Sequence, residues 1–176
     1  MYEAKRTRSG LRVYEETFDK DSTSRITLTR ELREGLGRGE LHLVYQPVQN
    51  LADNTIVGAE ALIRWHHPNH GVLLPEKFIS LAEDGGLMSS LTPWLLRETF
   101  RQLSNWNRIG FRTKISVNVS ATNLYEKEFI NDLHRLSKEY SVAPEQIELE
   151  ISEKAIFSDF DRVLVHLKRI YDSGIK

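Results

Sequence analysis

Four stretches of the chain read as strands, the last two alternating cleanly between apolar and polar residues at the two-residue period of a half-buried strand. They are Leu41 to Val48 (L-H-L-V-Y-Q-P-V), Thr55 to Trp65 (T-I-V-G-A-E-A-L-I-R-W), Thr113 to Ser120 (T-K-I-S-V-N-V-S) and Ile147 to Ser152 (I-E-L-E-I-S). Asn50 to Asn54 is a turn short enough to join the first two as an antiparallel hairpin. Helical spacing takes over elsewhere. Ser24 to Gly37 carries Ile26, Leu28, Leu32 and Leu36, with Gly37 and Gly39 as stops. Pro75 opens a helix that Gly85-Gly86 closes. A longer helix from about Ser90 to Ile109 presents Trp94, Leu95, Phe100, Leu103 and Trp106 as its buried side. Two more cover Phe129 to Tyr140 and Asp161 to Ser173, and Ile175-Lys176 starts a further strand. The polar run from Glu15 to Ser24 has the composition of a linker, and the domain proper is expected to begin near Ser22.

Strand–helix alternation through the second half implies an α/β fold with parallel strands covered by helices. In a (β/α) barrel the apolar strand face packs outward on the helices, and inward side chains meet at the axis. Ser116, Asn118, Ser120, Glu148 and Glu150 then point inward, where branched apolar residues are the rule. On the Thr55 strand, Glu60, Leu62 and Arg64 share a face. A carboxylate and a guanidinium on a buried-looking strand are costly unless they pair or bind something, so a Glu60–Arg64 ion pair and a binding role both stand. Glu60, Asn118 and Glu150 lie near the C-terminal ends of three strands, where such barrels keep their active sites. Two carboxylates and a neutral amide oxygen suit Mg²⁺ or Mn²⁺ better than zinc. Separate structural reasons for the three, such as solvent exposure or local ion pairs, are the competing explanation.

Composition narrows this picture only a little. The chain has 176 residues, 40% hydrophobic and 28% charged, as one globular unit of ordinary core size would. A net charge of −1 makes no electrostatic case for duplex DNA or RNA. Without cysteine there are no disulfides, thiolate metal sites or cysteine nucleophiles. No apolar run reaches the length of a membrane span, so a cytoplasmic location is expected, on the inner-membrane face if a longer protein carries an anchor. His66, His67 and His70 are expected to be solvated loop residues rather than a zinc site, and Trp94 and Trp106 core or dimer-surface residues.

Five ordered motifs now become recognisable: Y-Q-P at Tyr45–Pro47, E-A-L-I-R-W-x-H-P with Gly71 and Pro75, L-A-E-D-G-G-L, S-V-N-V-S, and E-L-E-I-S-E. Together they resemble the EAL-domain family of cyclic di-GMP phosphodiesterases, from about Leu41 to Lys176. The opening M-Y-E-A-K-R resembles the end of a GGDEF domain, so residues 1–21 are expected to be the end of that domain and a linker, and 22–176 the N-terminal part of an EAL domain. The resemblance implies a TIM-type barrel with a reversed first strand, of which this chain holds about the first half. It implies that Glu60, Asn118 and Glu150 are metal ligands for Mg²⁺ or Mn²⁺, and that Arg64 grips a substrate phosphate. Gln46 and Leu62 would line the nucleotide groove, and Glu153 would support the loop over the site.

The implied reaction is metal-assisted hydrolysis of cyclic di-GMP to the linear dinucleotide, in a protein that pairs through its EAL domain. The family's remaining residues, an Asp-Asp pair, a lysine, a glutamate and a glutamine, lie beyond Lys176. The chain is therefore expected to be part of a longer GGDEF–EAL protein and to lack catalysis by itself. The rival reading is a degenerate EAL module that binds cyclic di-GMP or a protein partner without turnover.

Overall fold

The computed structural model describes residues 16–120, 123, 128–151 and 160–176. Among them the chain order is helix α1 (Glu16–Arg38), strands β1 (Leu41–Gln49), β2 (Ile56–His67) and β3 (Gly71–Leu73), then helices α2 (Pro75–Asp84) and α3 (Met88–Arg108). Strand β4 (Lys114–Val119), helix α4 (Phe129–Tyr140), a 3-10 turn at Pro144–Gln146, strand β5 (Ile147–Ile151) and helix α5 (Phe160–Asp172) follow. None of the described helices is long and apolar enough to cross a membrane.

The strands form one sheet in the order β1-β2-β4-β5, with β3 added to β2. β1 runs antiparallel to β2, as the hairpin reading required, while β2, β4 and β5 are parallel. The hairpin turn is closed by side chains. Asp53 Oδ1 accepts from the Thr55 N–H at 3.1 Å and from its hydroxyl at 2.8 Å, and Asn54 takes a left-handed φ of 58°. An antiparallel first strand ahead of parallel strands and covering helices is a partial-barrel arrangement. Past β5, the Leu149 N–H donates to the Lys176 carbonyl at 2.7 Å and the Lys176 N–H to that of Ile147 at 3.2 Å. The two-residue strand start read at Ile175-Lys176 is therefore laid along β5.

Alternation sorts the sheet into two faces. Ala61, Ile115, Val117, Val119 and Ile147 pack in one cluster with Leu96, Phe100 and Leu103 of α3, Leu133 and Leu136 of α4, and Ile170 of α5. Tyr45 joins this face edge-on to Trp106 at 5.1 Å. Burial there, and then Glu98, pushes its hydroxyl up to about 12. A second cluster joins Leu32 of α1, Leu41, Ile63 and Trp65 to Phe78 and Ala82 of α2. Each fully buried side chain of this size contributes roughly 1.5–3 kcal/mol.

Several expectations need correction. The polar run read as a linker is helical from Glu16 onward. No glycine or proline interrupts it before Gly35, and Leu28, Leu32 and Leu36 seat the helix on the second cluster. Ile26, assigned to the apolar side, points to solvent at 73% exposure. Gly37 does not stop the helix. The stop is Gly39, at φ 73°, where the Glu40 N–H reaches the Gly35 carbonyl at 3.0 Å. A boundary after residue 21 falls inside this continuous helix, and the opening residues that resemble a GGDEF domain lie outside the described part. The Thr55 strand runs two residues past Trp65, because His66 and His67 pair with Val72 and Gly71 of β3.

Candidate metal and phosphate site

Register decides which polar groups meet. Glu60 pairs with Gln46 on one side and with Ser116 on the other. Ser116 pairs with Glu148, and Asn118 with Glu150. Leu62 and Arg64 follow Glu60 on the same face of β2, with Val44 and His42 as their β1 partners. The polar face thus carries Gln46, Glu60, Leu62, Arg64, Ser116, Asn118, Glu148 and Glu150 across four strands, opposite the apolar cluster.

Two of the expected ligands touch. Asn118 Nδ2 donates to Glu60 Oε1 at 2.9 Å, a diagonal contact between neighbouring parallel strands. Glu150 stands beside Asn118 on the next strand and is exposed, as are Asn118 and Gln46, while Glu60, Leu62 and Arg64 are half-buried. No ion pair forms between Glu60 and Arg64. The Arg64 guanidinium instead donates to the carbonyl of Ile63 at 2.9 Å. That leaves its other donors for a ligand. Glu153 lies outside the described residues.

The donor set fits a hard divalent cation by its chemistry: two carboxylates and an amide, oxygen-bearing and at the open end of parallel strands. Asn118 Nδ2 is committed to Glu60, so Oδ1 is the end a cation would take. Among the described residues no group of three or more His, Cys, Asp or Glu side chains converges as a metal site by itself.

The loop histidines divide. His67, expected to be solvated, is buried at 3% exposure. Its Nε2 lies 3.2 Å from Glu31 of α1, and its Nδ1 accepts the Asn69 N–H at 3.1 Å. An Nδ1 that accepts and an Nε2 facing a carboxylate describe a histidine already used in joining α1 to the sheet. His66 is exposed and meets the His42 ring edge-on, their centroids 3.8 Å apart.

Two structural supports escaped the sequence reading. Asn123, fully buried, accepts at Oδ1 from the Ser120 N–H at 3.1 Å and from its hydroxyl at 2.8 Å. This holds the end of the strand that carries Asn118. The available signal was the Ser-x-x-Asn spacing, a common side-chain cap of a turn. Glu40 ties β2 to α1: its carboxylate accepts from the fully buried Trp65 indole at 3.0 Å and from Arg38 at 2.7 Å. The Trp65 N–H, and then Arg38, hold its carboxyl below the usual range.

Comparison with known proteins places this geometry in context. A family model described as "EAL domain" matches residues 29–176. Cyclic di-GMP phosphodiesterase PA2567 of Pseudomonas aeruginosa is 34% identical over 163 residues, covering 92% of this chain and 28% of that protein. The bifunctional diguanylate cyclase/cyclic di-GMP phosphodiesterase MucR of the same organism is 32% identical over 177 residues, covering 99% of this chain and 26% of that protein. The solved PaMucR phosphodiesterase in complex with c-di-GMP superimposes with a TM-score of 0.81 at 33% identity, over 85% of this chain and 61% of that one. Against its curated relatives the chain spans between 20% and 52% of their length.

Proposed function

Because this chain belongs to the EAL domain family, matched over residues 29–176, we propose that it forms the metal- and phosphate-binding half of a cyclic di-GMP phosphodiesterase. The observation that carries this reading is the Asn118–Glu60 contact. It brings together, from separate strands, two of the oxygen-bearing side chains that the family resemblance assigns to the metal.

In this reading Glu60, Asn118 and Glu150 hold Mg²⁺ or Mn²⁺. When bound, such a cation acts as a Lewis acid toward phosphoryl oxygen and makes hydroxide available near neutral pH. The chain's own residues orient the substrate. Arg64 is a rigid two-pronged donor suited to a phosphodiester, and its single backbone bond leaves it free to turn toward one. Gln46 and Leu62 flank Glu60 and line the groove in which the nucleotide lies. The apolar opposite face holds the three strands in register, so that the donors are positioned before the ligand arrives.

Hydrolysis of cyclic di-GMP to the linear dinucleotide, followed by chromatography in Mg²⁺ or Mn²⁺, tests the reading in a form of the protein that includes any sequence after Lys176. Turnover that is lost in Glu60→Gln supports it. Tight binding without turnover in either metal would make the protein a binding module, and no binding at all would overturn the reading.

A further inference from the structure

One pair of histidines on the site face has no role in the reading above. His42 is the β1 partner of Arg64, and His66 follows Arg64 by two residues on the same face of β2. The His42 and His66 rings meet edge-on at 3.8 Å. The charged groups that act on His42 are His66 and Arg64, and they add to its burial in holding the imidazole below its usual range, while a bond to the Glu40 backbone works the other way. Among the described residues, no carboxylate acts on His42 to offset them. Opposite His66 on β3 stands Val72. The Glu40 carboxylate is engaged by Arg38 and Trp65, and only its carbonyl turns to this side, taking the His66 N–H at 2.8 Å. α1 and α2 pack on the other face, around Trp65.

The contrast with His67 is chemical. His67 has its own carboxylate, Glu31, whereas His42 and His66 have each other and an arginine. Protonating His42 would set a second positive charge beside Arg64, a state that favours a bound anion. We propose that His42 and His66, with Arg64, form a subsite for a phosphate of the bound nucleotide, and that His42 takes up a proton when the phosphate occupies it. This rests on the cyclic di-GMP reading and extends it: affinity should rise on acidification, because occupancy and protonation favour each other.

The test is equilibrium binding of cyclic di-GMP, without added divalent metal, between pH 8 and pH 5.5. Wild type is expected to tighten by about five- to tenfold over that range. His42→Gln should flatten the dependence, and His66→Gln, at an exposed position, should weaken binding across the range. Arg64→Ala should weaken binding at every pH. A slope unchanged in His42→Gln, binding unchanged in His66→Gln, or a flat wild-type profile overturns the subsite and leaves the functional reading standing. Absence of binding by wild type at any pH overturns both.

Discussion

The two faces of one sheet follow different rules. Toward the helices, Ala61, Ile115, Val117 and Ile147 are buried against α3, α4 and α5, and their neighbours are interchangeable hydrocarbon. Toward the site, alternate residues of the same strands (Glu60, Asn118, Glu150) keep polar atoms half-buried or exposed, and what matters is which atom meets which. A period of two lets each strand serve both faces, because apolar packing is collected on one side and polar groups are laid out on the other. His66 and His67 show the same division at the strand's end. One joins the site face, and the other is locked to Glu31.

That division can be broken from the helix side first. Phe100, fully buried beneath the sheet, should cost about 3–5 kcal/mol on substitution to alanine, read as a lowered denaturation midpoint. A loss below about 1 kcal/mol would mean that the apolar face is not the main source of stability. A smaller effect belongs to the seam between α1 and β2. Trp65→Phe removes the indole donor to Glu40 and should cost about 2 kcal/mol near neutral pH. Since Trp65 holds the folded-state carboxyl of Glu40 below its unfolded value of about 4.3, this stabilisation is complete above that pH and fades as the pH falls through the depressed folded value. Unfolding of wild type and Trp65→Phe should therefore converge in acid. The smallest effect lies on the polar face: Asn118→Ala, exposed and paired only through Glu60, should alter stability by no more than about 0.5 kcal/mol. A large loss there would make the contact structural and weaken the case for a ligand site.

Much of this architecture was legible where proline and glycine punctuate it. Pro75 and Gly85 bracket α2 as expected, and Phe129–Tyr140 ends at Ser141, which adopts a left-handed φ of 53°. α1 was harder to see. Its first two turns are polar and carry no periodic apolar stripe, and its helicity follows from the leucines further along. The site was half legible. Alternation places Glu60, Asn118 and Glu150 on one face, but the meeting of Glu60 with Asn118 depends on inter-strand register, which no single strand encodes. Glu60 shares a rung with Ser116, so its contact with Asn118 is diagonal. His67 was misjudged for the same reason. Its burial depends on α1 and β3 closing over the end of β2, which is tertiary information.

The central claim is that Glu60, Asn118 and Glu150 together hold one divalent cation. Mn²⁺ binding followed by electron paramagnetic resonance, on wild type and on Glu60→Gln, Asn118→Ala and Glu150→Gln, tests it most directly. A single saturable site weakened at least tenfold by each substitution is the predicted result. Mn²⁺ binding that is equally tight in wild type and in all three variants would contradict it.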